Sequence, residues 1–276
     1  MVEISAQAVK ALREATTLPM MACKKALVEA QGDQDKAIEI LSREVDKIRI
    51  KRSDNVTAEG RIFTYSKDDG SEVVLVEIQT ESAPVATGKD IENFGHLLAQ
   101  QLLDGPGAEN AQALLSQQSP DGSGKLLNDL FDEIVNKIRE KIVVTKIARI
   151  PGPVGVYVHH DGKTGVFFQA ECENPNEPVL KDIAMHIAAL QPTVINPEEL
   201  DPEKVQAERD KLTEEARSTG KPENIIEKIV DGRMKNFFVE EGVLTMQPFA
   251  KDDTKTVSQA LAEKGVKPIC FERWSI

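Results

Sequence analysis

His159, His160 and Asp161 stand side by side, two imidazoles and a carboxylate that could together move a proton near neutral pH. Acid–base catalysis would also need a nucleophile within reach, and nothing nearby in the sequence supplies one. The three residues fall where two apolar runs, Val154 to His159 and Gly165 to Glu171, are joined across His160-Asp161-Gly162-Lys163, so they read as contact or solvent residues of a hairpin loop. His186 lies on an apolar helical stretch and reads as a hydrogen-bonded core histidine. Cys23, Cys172 and Cys270 are odd in number and far apart, with neither metal-ligand spacing nor a disulfide framework. Each reads as a small core hydrophobe rather than a reactive thiol, in a reducing cytoplasm. An enzyme built on His159-His160-Asp161 is therefore the weakest functional reading.

The residues with more to say are apolar. Met20 and Met21 open a helix just after Pro19, and adjacent residues cannot share one helix face. At least one of them is expected to look away from its own core. They belong to a small helical module. Ser5 is a plausible N-cap, with Val9 and Leu12 behind it. Thr16-Thr17-Leu18-Pro19 ends the first helix. Cys23, Ala26, Leu27 and Ala30 keep the i, i+3, i+4, i+7 spacing of a buried stripe. Gly32-Asp33 is a stop followed by a cap, and Ala37, Ile38, Leu41 and Val45 line one side of a third helix. So small a module buries too little surface to house a catalytic pocket. Either both methionines fill core gaps, as methionine often does, or they form a docking surface. The plan of the module is similar to a ubiquitin-associated-type fold.

Composition bounds the rest. A chain of 276 residues suggests about two domains, and 40% apolar with 29% charged content is ordinary for a soluble globular protein. The net charge of −12 argues against a nucleic-acid binder, which needs a basic footprint to neutralise phosphates, and fits a basic protein partner or simple solubility. No run reaches the roughly 18 apolar residues of a membrane span. The N-terminus, with Glu3, Lys10, Arg13 and Glu14, does not read as a signal peptide.

Beyond Val45, the basic run Lys47 to Arg52 and polar Ser53-Asp54-Asn55 read as a linker. Arg61 to Tyr65 and Glu72 to Thr80 read as strands joined by Lys67-Asp68-Asp69-Gly70, whose Asp-Gly is a hairpin cue. A helix follows over about Asp90 to Leu103, then a loop-rich stretch from Gly105 to Gly124, a helix over Leu126 to Lys141 leading into a strand, Ile142 to Ile150. The second hairpin starts the same series again: a helix over about Val179 to Leu190, a helix over Val257 to Lys264 and a strand over Ile269 to Trp274. The expectation is an α+β fold: a three-helix module over residues 1–53, then a duplicated core with short antiparallel sheets, its first half over 54–153 and its second over 154–276. An insertion over about 197–239 reads as an antiparallel helical hairpin. Asp201-Pro202 starts one helix, Ser218-Thr219-Gly220 stops it, and Pro222 starts the next. The hairpin either packs on its own core or reaches a partner.

Three stretches then match a known family: Val9 to Leu41 with Met20-Met21-Ala22-Cys23-Lys24-Lys25-Ala26-Leu27; Asp182-Ile183-Ala184-Met185-His186-Ile187-Ala188-Ala189 with Pro192; and Gly220 to Lys235 followed by Gln247-Pro248-Phe249. The chain resembles bacterial translation elongation factor Ts, the guanine-nucleotide exchange factor for elongation factor Tu. The resemblance implies a non-enzymatic cytoplasmic protein with no cofactor, no metal site and no direct nucleic-acid or membrane contact. By the match, Arg13, Met20 and Met21 would lie on the GTPase domain of the partner, and His159 would also contact the partner. The first core half would reach toward the nucleotide's magnesium region. A dimer through the core or the hairpin is a further expectation.

The sequence departs from the family at the exchange motif. Where Thr-Asp-Phe-Val-Ala is usual, this chain has Thr80-Glu81-Ser82-Ala83-Pro84-Val85-Ala86. On this reading Thr80, Glu81, Ser82 and Ala83 form the nucleotide-exchange loop. Glu81 keeps the carboxylate, Ser82 stands in for the aromatic wedge, and Ala83-Pro84 is an insertion. The alternative function is a binding or chaperone-like partner with weakened exchange.

Overall fold

The computed structural model describes residues 4–16, 18–218, 220 and 222–276. Glu3, Thr17, Thr219 and Lys221, which the sequence reading used, lie outside the described residues.

Local signals account for the N-terminal helices. The Ser5 hydroxyl accepts the Ala8 N–H at 3.1 Å and starts α1 (Ala6–Thr16), whose Val9 and Leu12 are buried. Pro19 precedes α2 (Met20–Glu29), and its carbonyl accepts the Ala22 and Cys23 amides. Gln31 and Gly32 carry positive φ, so the Gly32 N–H turns back onto the Leu27 carbonyl at 2.8 Å and closes the helix. Asp33 then caps α3 (Gln34–Lys51) by accepting the Lys36 N–H.

Two expectations fail on α3. The run Lys47 to Arg52 is not a linker: the helix continues to Lys51. Nothing from Glu44 to Lys51 breaks a helix, Val45 and Ile48 pack against the first core, and cations suit the C-terminal turn of a helix dipole. Ile38, which the spacing placed on the buried side, is 42% exposed. The stripe that packs is Ala37, Leu41 and Val45.

The remaining elements build two antiparallel sheets. The first has the order β1-β2-β3, from β1 (Glu59–Ser66), β2 (Glu72–Thr80) and β3 (Ile142–Pro151). Between β2 and β3 come α4 (Ala83–Ala86), α5 (Lys89–Asp104), α6 (Ala111–Leu115) and α7 (Leu127–Ile138). The second sheet has the order β4-β5-β8, from β4 (Val154–Val158), β5 (Thr164–Glu171) and β8 (Lys267–Ser275). Between β5 and β8 lie α8 (Pro178–Leu190), α9 (Pro202–Arg217), α10 (Glu223–Glu240), β6 (Pro248–Phe249), β7 (Asp252–Thr256) and α11 (Val257–Ala262). The small β6-β7 pair was not foreseen, and α10 runs four residues beyond the expected Asn236 because Phe237 and Phe238 still pack in the hairpin.

The central strands explain the layering. On β2, Val74, Val76 and Ile78 face α5 and α7, where Phe94, Leu98, Leu102 and Phe131 complete a core. Val73 and Leu75 point the other way, with Ile62 and Ile150, onto Val154, Phe167 and Trp274 of the second sheet. On β5, Val166, Phe168 and Ala170 face away from that seam onto Leu180, Ile183 and Ile187 of α8. The result is helix, sheet, sheet, helix, with both central strands buried on both faces, which is why Val73 to Val76 and Val166 to Phe168 are apolar without alternation.

Close approach demands glycine at one joint. A Cβ on Gly155 would lie 2.0 Å from the Leu180 carbonyl oxygen of α8, against backbone that cannot swing aside. Gly155→Ala is expected to cost about 1–3 kcal/mol, measurable as a lower urea midpoint with an unchanged m-value.

Helices α9 and α10 pack on each other through Leu212, Ala216, Ile226, Val230 and Met234. Exposed pairs Arg209–Asp231, Arg233–Glu215 and Arg217–Glu223 fix their antiparallel register. Such pairs contribute little stability. Their apolar residues form a separate cluster from both sheet cores. No helix among the described residues is long and apolar enough to cross a membrane.

Candidate functional site

Three surfaces hold the residues singled out by sequence. The first joins α1 and α2. Cys23, Ala26 and Leu27 fill the module's core, and buried Leu18 closes the end nearest Pro19, leaving no room for the two methionines. Met20 and Met21 are 51% and 64% exposed. With Val9, Lys10, Arg13 and Lys24 they line an open groove of about 870 Å³. An apolar floor rimmed by Lys10, Arg13 and Lys24, with Glu14 paired to Lys10 at 3.7 Å, leaves the rim net positive on a chain of net charge −12 and suits an apolar protein surface edged with carboxylates.

The second surface follows β2. Thr80 is fully buried and its hydroxyl donates to the Ser82 carbonyl at 3.0 Å. Glu81 turns inward. One carboxylate oxygen accepts Arg52 Nη1 at 2.6 Å and Asn55 Nδ2 at 2.8 Å, and the other accepts the Lys141 backbone N–H at 2.5 Å. Desolvation alone would raise this carboxyl's pKa. The Lys141 amide, Asn55 and Arg52 outweigh it and hold the group below its usual range. Ser82 also turns inward, its hydroxyl donating to Glu140 at 2.9 and 3.0 Å, while its backbone is the extended N-cap of α4. The residues exposed at this corner are Ala83 and Pro84; Val85 is half-buried against the first core and Ala86 is buried.

The third surface belongs to the second sheet. His159 sits at the β4–β5 turn, its Nδ1 2.9 Å from the Tyr157 hydroxyl and its ring 4.2 Å from that of His160. Tyr157, His159, Asp161, Met185 and Lys251 border a groove of about 860 Å³. His186 lies beneath it, buried as expected. Its Nδ1 accepts the Ala250 N–H at 3.2 Å, so the Nε2–H donates to Gln247 Oε1 at 2.9 Å. Burial lowers its pKa, against a smaller opposing effect of Gln247. The folded state therefore binds this proton less readily than the unfolded chain. The resulting stability is present above the ordinary histidine pKa of about 6.5 and is lost as pH falls below it. Urea midpoints are expected to drop between about pH 7 and pH 5, and His186→Phe is expected to flatten that slope.

The structure thus brings Arg13, Met20 and Met21 into one groove and places His159 on a separate face. Thr80, Glu81 and Ser82 face inward, with Ala83 outside. Sequence reading missed Arg52, Asn55, Glu140 and Lys141, which hold the loop. They are distant in the chain, and a cation at a helix end is too common a pattern to reveal its carboxylate. Among the described residues no group of acidic, histidine or cysteine side chains could hold a metal ion.

Residues 84–276 match the family model described as Elongation factor TS. The chain is 36% identical over 275 residues to an elongation factor Ts of Halorhodospira halophila (strain DSM 244 / SL1), covering 99% of this chain and 92% of that protein. It is 38% identical over 272 residues to an elongation factor Ts of Hyphomonas neptunium (strain ATCC 15444), covering 96% and 89%. The likeness therefore takes in the N-terminal helices and both sheets, and the chain belongs to the elongation factor Ts family.

Proposed function

We propose that this family member, an exchange factor for elongation factor Tu and not an enzyme, works by docking one surface and prising with another. The near full-length likeness to elongation factor Ts proteins carries this reading. Residues 1–53, with a ubiquitin-associated-like plan, dock on the GTPase domain through Arg13, Met20 and Met21. Residues 54–153 and 154–276 are two copies of one α+β unit. The first carries the Thr80 to Ala83 loop toward the nucleotide's magnesium region with Ala83 as its exposed member, and the second adds contacts at His159, with the hairpin reaching beyond it. Partner contacts formed only in the nucleotide-loosened state weaken nucleotide binding reciprocally, so no cofactor of this chain is needed. The place of action is the cytoplasm, where a dimer through the core or the hairpin is compatible with the docking surface.

The test is direct. Micromolar protein added to elongation factor Tu loaded with labelled GDP should speed loss of label, and no acceleration would sink the reading. One observation favours a second reading, of a partner that binds with weakened exchange: the exposed corner of the loop is Ala83 and Pro84, without an aromatic. That reading predicts a stable complex with unchanged GDP release.

A further inference from the structure

We propose that Glu81 is a positioning residue that fastens the exchange loop to the C-terminal end of α3, so that the docking module to which α3 belongs and the loop meet the GTPase as one rigid unit. The inference rests on the exchange reading above and deepens it, since it gives Glu81 a role that involves no partner contact.

The geometry joins three separate segments. Arg52 and Asn55, at and just beyond the end of α3, both donate to one oxygen of Glu81, at 2.6 and 2.8 Å. The other oxygen takes the Lys141 N–H, at the start of β3. Lys141 closes the ring by donating its Nζ to the carbonyls of Ser53 at 2.5 Å and Asn55 at 2.9 Å. The Glu81 side chain is 16% exposed. A carboxylate holding three donors, two of them on the other segments' side chains, would have to abandon charge-assisted bonds to reach outward. The next residue repeats the restraint, because Ser82 donates to Glu140, Lys141's neighbour.

The rest of α3 is already seated. Val45 is buried in the first core, Arg49 pairs with Asp132 at 2.6 Å, and buried Asn136 donates to the Leu41 carbonyl at 3.1 Å. The direction of the docking module is thus held as far as Arg52, and Glu81 is the link from there to the loop. A loop held in place spends little ordering entropy when it meets the partner, and a loosened loop loses that advantage without losing the dock.

The experiment uses the full chain in four forms: unaltered, Glu81→Gln, Arg52→Gln and the double variant. GDP release from elongation factor Tu is measured across a concentration series. Each single variant is expected to lower the maximal rate by about 5- to 10-fold, with the half-saturating concentration within about twofold, and the double variant should be no worse than the poorer single. Arg52→Lys should restore most of the rate. If Glu81 instead touches the partner, Arg52→Gln will have no effect or the losses will multiply, and either result overturns the proposal. A second measurement is independent of exchange. Spin labels at Lys25 and Thr87, in a chain with its three cysteines replaced, should give a narrow distance distribution that broadens in Glu81→Gln and in Arg52→Gln. An unbroadened distribution overturns the proposal even if exchange is intact. Broadening in a chain that never accelerates release would instead overturn only the exchange reading.

Discussion

Replacing Met20 and Met21 together by alanine should raise the concentration needed for half-maximal GDP release by about 10- to 100-fold and leave the maximal rate unchanged. Full burial of a methionine side chain contributes about 1.5–3 kcal/mol. Met20 is about half covered and Met21 about a third covered in the free protein, so only part of that is left to gain on docking. Two partial gains of about 0.7–1.4 kcal/mol each account for the predicted range. Because both side chains are exposed, truncation leaves no cavity, and the melting temperature should hold. Leu27→Ala is the contrasting control. Leu27 is fully buried at the centre of the module, so its loss should cost about 2–5 kcal/mol of stability and weaken docking by unfolding the surface. An unchanged half-saturating concentration in the methionine variant would remove the α1–α2 groove from the docking account.

The second large effect concerns the loop. Pro84→Phe is expected to raise the maximal release rate by about tenfold, whereas Ser82→Phe should lower it. Resemblance to the family sets an aromatic wedge at this loop, and Ser82 is the residue that the motif reading put in its place. The Ser82 side chain, however, points at Glu140 and cannot be enlarged without losing its hydrogen bond to that carboxylate and crowding the α7–β3 turn. Pro84 is exposed in the first turn of α4, where a ring would project outward. An aromatic buried in a partner pocket contributes about 2–3 kcal/mol. A 10⁴-fold shift of a two-state equilibrium needs about 5.5 kcal/mol of differential binding, so one wedge is a large fraction of it. Removing proline costs up to about 1 kcal/mol of loop rigidity, which trims the gain. If Ser82→Phe raised the rate and Pro84→Phe did not, the loop would have to turn over on binding.

Most elements were legible because their signals are local. Ser5, Asp33 and Asp201 cap the helices they were expected to start, and Gly70 and Gly162 carry the positive φ of their hairpin turns. The mixed α+β class follows from those elements. What the sequence hid was tertiary. The seam between the two sheets depends on which face of β2 and β5 meets which neighbour, and a strand buried on both faces has no alternation to reveal it. Glu77 shows the same blindness. It stands amid valines and isoleucine on β2, yet it is buried and held by Thr145 and Gln79. The basic run after Val45 resembles a linker in charge alone, whereas the Leu41, Val45 and Ile48 spacing keeps α3 intact. At the candidate site, exposure of the methionines followed from a module core already full. The inward turn of Glu81 and Ser82 depends on partners far along the chain.

Docking by this chain loosens nucleotide on elongation factor Tu. Stopped-flow release of fluorescent GDP from elongation factor Tu, followed over rising concentrations of this protein, tests it most directly. The expected release rate climbs and saturates well above the spontaneous rate. A stable complex in which GDP leaves no faster than it does alone would contradict it.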